Sequence, residues 1–146
     1  MFDIYISPFN DPYINLSIEN HLLLTANTNS ILYLWVNDPC VIIGRNQNIF
    51  KECNLRYLEE NNIHPVRRFS GGGAVYQDKG NLNYTFITKS ETDENYIKDI
   101  ILNSFHSIGI DVIFSGRNDL LVRNRKFSGY ATYYDIIIFY IMVHVW

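Results

Sequence analysis

Cysteine is scarce in this 146-residue chain, and the two present, Cys40 and Cys53, lack CxxC spacing and a nearby histidine pair. Neither a disulfide framework nor a zinc site is indicated, and a reducing, cytoplasmic setting fits best. No excess of basic charge is present either: 12 Lys and Arg against 15 Asp and Glu give a net charge of −3. A general attraction for nucleic acid or an anionic membrane is thereby excluded, and any anion site must be local. No apolar run is long enough to span a bilayer; the longest, residues 136–146, is interrupted by His144 and is too short. The N-terminus, Met1-Phe2-Asp3-Ile4-Tyr5-Ile6, has neither the basic region nor the long apolar run of a targeting peptide and is expected to form a first strand. Internal repeats and low-complexity segments are absent. His21, His64, His106 and His144 are scattered without metal-ligand spacing, so each is expected to be structural. Neither cysteine adjoins a histidine or a basic turn that would activate a thiol.

What the chain does contain is apolar residues, 47% of the total, sufficient for one domain with a continuous core. Asp11-Pro12 opens a helical pattern over 12–25, with Asp11 as N-cap and Ile14, Ile18 and Leu22 recurring every fourth residue. Residues 31–36 and 40–44 are short apolar runs separated by the turn residues Asn37-Asp38-Pro39, which suggests two paired strands. A short helix over 51–61 follows. From 63 to 88 the pattern is strands broken by Gly71-Gly72-Gly73 and Asp78-Lys79-Gly80-Asn81, with Tyr84 and Phe86 alternating at the strand period. Ile97, Ile100, Ile101, Ser104, Phe105 and Ile108 then form the stripe of a second long helix that stops at Gly109 and should lie across the sheet. Strands over 112–114, 119–122 and 125–127 come next, the last two joined in a hairpin through Arg123-Asn124. Strands outnumber helices, and the expected class is α+β, a mixed β-sheet with packed helices. The apolar run 136–146 fits either a buried strand or a chain cut short within its domain.

Four segments could carry chemistry. In Arg67-Arg68-Phe69-Ser70-Gly71-Gly72-Gly73-Ala74-Val75-Tyr76, three glycines let the backbone approach a ligand and turn N–H groups toward phosphate or carboxylate oxygens. The two arginines could clamp the same anion; the alternative is a flexible hairpin loop with two solvated arginines. Lys126, beside another small-residue turn, could bridge two negative groups driven together in a transition state, or be a solvated hairpin lysine. Gly116-Arg117-Asn118-Asp119 offers an amide and a carboxylate for a magnesium ion on a nucleotide, or a local cap. Gly44-Arg45-Asn46-Gln47-Asn48 ends an apolar run with amide side chains, which is also ordinary in a strand-to-helix connection.

Taken together, these segments resemble the lipoate-protein ligase family. The match runs in order through Gly44-Arg45-Asn46-Gln47-Asn48, Glu52-Cys53-Asn54, the block from Arg67 through Gln77-Asp78-Lys79-Gly80-Asn81, Gly116-Arg117-Asn118-Asp119-Leu120 and Arg125-Lys126-Phe127-Ser128-Gly129, covering roughly residues 10–134. The resemblance implies a fold shared with biotin-protein ligases and octanoyltransferases. It also implies a two-step reaction: lipoate is activated by ATP with Mg2+ to lipoyl-AMP, then transferred to a lysine of an acceptor protein. Carried over by position, Arg68, Gly73, Ala74, Val75, Tyr76, Asn118, Asp119 and Lys126 would bind ATP. Gly71, Gly72, Gly73 and Lys126 would bind lipoate, with Lys126 as the catalytic residue and Asp119 as a magnesium ligand. The lipoate tail would enter a hydrophobic tunnel. Implied partners are lipoyl acceptor domains of 2-oxo acid dehydrogenase complexes or the glycine cleavage H protein, with no nucleic acid and no membrane.

Three departures stand out. Gln77 occupies the place where the family usually has histidine, the family's aromatic-His-His-Gly-Thr segment is missing from residues 134–143, and the family's catalytic domain continues beyond residue 146. The chain therefore reads as a single catalytic domain over 1–146, incomplete at its C-terminus. Two alternatives remain open at this point: a non-catalytic or incomplete lipoate- or acceptor-binding paralogue that needs a complementing C-terminal chain, and an octanoyltransferase acting through a cysteine thioester.

Overall fold

A computed structural model of the chain describes residues 2–26, 30–89, 92, 94–116, 119–134 and 138–145. In chain order the elements are β1 (Phe2–Ile6), α1 (Pro12–Thr25), β2 (Ser30–Val36), β3 (Cys40–Ile43), α2 (Ile49–Glu52), α3 (Leu55–Glu60), β4 (His64–Arg67), β5 (Val75–Gln77), β6 (Leu82–Lys89), α4 (Glu94–Ser107), β7 (Val112–Ser115), β8 (Asp119–Val122), β9 (Arg125–Tyr134) and β10 (Ile138–Val145). They form a 7-stranded mixed sheet in the order β1-β2-β6-β10-β9-β8-β7 and a 3-stranded sheet in the order β4-β3-β5. The expected α+β class, a mixed sheet with packed helices, is the one observed. No helix of the described residues is long and apolar enough to cross a membrane, which says nothing of a β-barrel.

Local chemistry accounts for the elements and for the expectations that fail. Asp11 caps α1 as expected, its carboxylate accepting from the Tyr13 and Ile14 amides at 2.8 and 3.1 Å, but the buried line of the helix is Pro12, Asn15, Leu16, Glu19 and Leu23. The Ile14, Ile18 and Leu22 stripe lies to one side, with Ile14 exposed. Polar residues displace it because each finds an internal partner: Asn15 reaches Asn37 and Tyr33, and Glu19 reaches Thr85. β2 and β3 do not pair. β2 lies between β1 and β6, and β3 between β4 and β5, because the Asn37-Asp38-Pro39 segment carries the chain from one sheet to the other. The helix expected over 51–61 is two short ones, broken where Asn54 leaves helical geometry to cap the second by accepting from the Tyr57 amide.

β10 is inserted between β6 and β9, hydrogen-bonded to both. The apolar run over 136–146 thus contains a central strand, for which a continuous apolar sequence is natural. The β8–β9 hairpin turns on Arg123 and Asn124 at φ 49° and 62°, a pair of left-handed residues whose twist matches that of the strands.

Register divides the larger sheet into two faces. Leu34, Tyr84, Leu120, Ser128 and Tyr130 share one face, against which α4 places Ile97 and Ile101 to close a core. Trp35, Asn83, Thr85, Ile87, Asp119, Gly129 and Tyr133 share the other, which α1, the smaller sheet and the glycine segment cover.

Candidate functional site

On that second face, a cleft of about 270 Å³ is lined by Arg68, Gly72, Gly73, Ala74, Val75, Asp119, Lys126, Gly129, Tyr130 and Ala131. Segments fifty residues apart in the sequence thereby meet across one opening. Of the residues expected to bind ATP or lipoate, Gly71 and Tyr76 fall outside the lining, and Asn118 lies outside the described residues. Gly129, Tyr130 and Ala131 are additions that only strand register could place there.

A β-bulge puts Lys126 on the cleft side. Asp119 pairs with Gly129 and Leu120 with Ser128, but Leu121 pairs with Lys126, so Phe127 is the extra residue. A regular ladder would put Phe127 opposite Leu121, on the cleft face. The bulge instead turns Phe127 toward the core, where its ring meets Phe105 edge-on at 5.2 Å, and re-aims the lysine. Lys126 Nζ then lies 2.7 Å from Asp119 Oδ1, with both side chains about half exposed.

The opposite wall is the glycine segment, and Arg68 holds it. Arg68 is 4% exposed; its Nη2 donates to the Gly71 and Gly73 carbonyls at 2.7 and 2.8 Å, and its Nε to Gly71 at 3.1 Å. Arg67, one residue earlier, points the other way and donates to the Gly44, Arg45 and Gln47 carbonyls. The two arginines therefore do not form a clamp on one anion, because consecutive positions of an extended segment face opposite sides. Of the three glycines in this segment, Gly72 alone needs glycine for its backbone: its φ is 97°, and a Cβ there would lie 2.7 Å from Arg68 Nη2. A Cβ on Gly71 or Gly73 would meet nothing within 4 Å, which leaves open space beside the loop.

The Gly44–Gln47 turn buttresses this wall. Arg45 N–H donates to the Ser70 carbonyl at 2.9 Å, the Arg45 guanidinium lies 4.9 Å from the Phe69 ring centre, and a Cβ on Gly44 would sit 2.0 Å from the Gly72 oxygen. Behind the wall, a second cleft of about 310 Å³ opens between α1 and β4 and also touches Arg68, with Leu16, Val66 and Phe69 as its apolar lining.

Two buried polar features escaped the sequence analysis. Glu19 is 2% exposed and accepts from Thr85 Oγ1 at 2.6 Å. Burial pushes its carboxyl up to about 7, against the lowering effects of the Thr85 hydroxyl and the Arg68 charge. Its spacing of three and four from Leu16 and Asn15 was the available signal, masked by the stronger isoleucine periodicity. Gln77, which stands where histidine was expected, is a link in a buried amide chain: Asn15 Nδ2 donates to Asn37 Oδ1, Asn37 Nδ2 to Gln77 Oε1, and Gln77 Nε2 to Asn83 Oδ1, at 2.9, 2.8 and 2.7 Å.

No set of three or more His, Cys, Asp or Glu side chains among the described residues is arranged to hold a metal alone. Neither cysteine lines the cleft; burial pushes the Cys40 thiol up to about 12 and that of Cys53 also upward.

Comparison with known proteins gives a consistent result. Residues 11–145 match the family model of the lipoyl protein ligase A/B catalytic domain. The chain is 46% identical over 129 residues to lipoate-protein ligase LplJ of Bacillus subtilis (strain 168), covering 85% of this chain and 39% of that protein. It is 44% identical over 135 residues to lipoate-protein ligase A of Blochmanniella pennsylvanica (strain BPEN), covering 88% and 40%. A crystal structure of P. falciparum LipL1 in complex with lipoate matches with a TM-score of 0.93 at 34% identity, covering 99% of this chain and 48% of that one. The chain thus spans about two fifths of the length of the two curated relatives.

Proposed function

Because the chain belongs to the lipoyl protein ligase A/B catalytic domain family, we propose that it acts in the ATP-dependent joining of lipoate to a lysine of a lipoyl acceptor domain, through lipoyl-AMP. The observation that carries this reading is the meeting of Lys126 and the glycine segment across one cleft. In the first step a carboxylate oxygen of lipoate attacks the α-phosphorus of ATP and pyrophosphate leaves. Two anions must approach each other, and a fixed ammonium beside them offsets their repulsion most as charge builds in the transition state. Lys126 is that ammonium. In the second step the neutral amine of the acceptor lysine attacks the mixed anhydride carbonyl, AMP departs with the bonding electrons, and the amine loses a proton.

Gly73, Ala74 and Val75 would shape the nucleotide wall, with open space at Gly73 for close approach of a phosphate. Arg68 supports this wall through its bonds to loop carbonyls. Asp119 would hold Mg2+ together with phosphate oxygens; a single carboxylate suffices for that ion when phosphates supply the other ligands. The lipoate tail is best served by the α1-side cleft, since Leu16, Val66 and Phe69 line it and Arg68 borders both it and the cleft that holds Lys126. The apolar recess formed by Leu32, Leu34, Tyr84 and Phe105 is on the α4 face, with the sheet between it and Lys126. An octanoyltransferase mechanism finds less support, because it requires a reactive thiol at the lysine and both cysteines are away from the cleft with raised pKa values.

Lipoate-dependent exchange of labelled pyrophosphate into ATP tests the first step without an acceptor. Exchange is expected from the chain, and Lys126→Ala is expected to lower it at least about 100-fold with an unchanged melting curve. Full exchange by that variant, or none by a folded wild-type chain, counts against the proposal.

A further inference from the structure

The rim of the α1-side cleft carries two exposed arginines, Arg45 and Arg67, and no Asp or Glu lines that cleft. We infer that this rim, with the outer face of α1 beside it, is a docking surface for the acceptor protein, whose own surface must present carboxylates next to apolar side chains.

Both guanidinium groups are held in place. Arg67 donates to the Gly44, Arg45 and Gln47 carbonyls at 2.9, 3.1 and 2.8 Å, each time through Nη1, which leaves Nη2 and Nε without a protein acceptor among the described residues. The Arg45 group lies 4.9 Å from the Phe69 ring centre and 6.0 Å from that of Tyr133, while its backbone N–H is tied to Ser70. Neither arginine forms an ion pair among the described residues. Two cations sharing one rim repel each other, and an incoming carboxylate relieves that repulsion. Since the chain as a whole carries a net charge of −3, this patch is a local exception that gives an acidic partner a preferred place to land.

The size and character of the neighbouring surface point to a protein rather than a small anion. Tyr13 and Ser17 belong to the α1-side cleft and also to a broad depression of about 380 Å³ on the outside of α1, completed by Ile14, Ile18 and His21. This is where the isoleucine stripe expected in the core emerges: Ile14 is 39% exposed and Ile18 is half-buried. Tyr13 stands at the junction, its hydroxyl donating to the Pro65 carbonyl at 3.3 Å and its ring meeting His64 edge-on. An ordered tyrosine, a pair of fixed arginines and a shallow apolar hollow are the combination that protein interfaces use, whereas small ligands are enclosed. The location also suits delivery of a lysine, because the α1-side cleft and the cleft that holds Lys126 share Arg68 as a border. The cleft floor remains available to the lipoate tail, and the rim takes the protein.

The test is a titration of an unmodified lipoyl acceptor domain into the chain, without lipoate or ATP, followed by backbone amide shifts. The wild type is expected to bind, to shift Tyr13, Ile14 and Arg45, and to lose affinity as salt rises from about 50 to about 300 mM. Arg45→Glu is expected to weaken binding about tenfold or more and to flatten the salt dependence. Ile14→Gln, outside both clefts, is expected to weaken it about fivefold with the salt dependence kept. Wild-type affinity in both variants overturns the inference. So does a wild-type chain in which the domain shifts none of these amides, whether or not inorganic pyrophosphate shifts Arg45, which would mark a small-anion site. The wild-type shifts decide the matter even where a variant does not fold. The inference rests on the ligase reading for the identity of the partner. A domain seated at Arg45 with no pyrophosphate exchange sinks that reading alone, and full exchange with no domain seated here sinks this inference alone.

Discussion

Gly44 and Glu19 show how single side chains, or the lack of one, set the stability of the fold that carries the site. No ligand role is assigned to Gly44, but a methyl group there would be driven to 2.0 Å from the Gly72 oxygen, which only a backbone shift can relieve. Gly44→Ala is expected to destabilise the fold by about 1–3 kcal/mol in urea denaturation, and to displace the glycine segment. Glu19 has a stability consequence set by its titration. Its carboxyl is raised from 4.5 to about 7 in the folded chain, so the folded state holds the proton more tightly than the unfolded one. The resulting stabilisation is fully present below pH 4.5 and is lost as pH rises through about 7. Denaturation between those limits should show a fall of up to about 3 kcal/mol from this group. The fall should be missing in Glu19→Gln, and an equal slope in both proteins would refute the assignment.

At the scale of an element, the β8–β9 hairpin combines a local decision with a tertiary one. The turn is local: Arg123 and Asn124 both have positive φ, a conformation that asparagine tolerates and arginine resists. Arg123→Asn is therefore expected to raise stability by about 0.5–1 kcal/mol, measured as a shift of the urea midpoint with no change of slope. The bulge at Phe127 is tertiary. Nothing in Arg125-Lys126-Phe127-Ser128 requires an extra residue; the demand comes from α4, whose Phe105 takes the Phe127 ring into the core. The aromatic contact and the orientation of the cleft lysine thus share one cause.

For the molecule as a whole, the two sheets must keep a fixed relation, because the glycine segment joins the smaller sheet and Lys126 lies on the larger one. The buried chain Asn15–Asn37–Gln77–Asn83 crosses between them, with Gln77 on β5 and Asn83 on β6. Its members are at most 1% exposed, so a missing link cannot be replaced cheaply by bulk water. Gln77→Leu keeps the volume but leaves Asn37 and Asn83 each short of a bond. A loss of about 2–5 kcal/mol is expected, together with weaker exchange activity from a cleft whose walls are no longer held in register. Wild-type stability in that variant would show that the amide chain is incidental.

By itself the sequence determined the class of fold, both ends of the first long helix, the hairpin turn and the glycine segment. Each rests on short-range physics: helix caps and periodicity, the left-handed turn at Arg123-Asn124, and glycine where Gly72 must adopt positive φ. The ordered motifs added the family, which local chemistry alone left undecided. Tertiary structure decided the remainder. It assigned β2 and β3 to separate sheets, put β10 at the centre, turned Arg67 and Arg68 apart, and buried Asn15, Glu19 and Gln77. A polar side chain is stable in a protein interior only beside a partner, and for Glu19 that partner, Thr85, stands 66 positions away, beyond the reach of any local pattern.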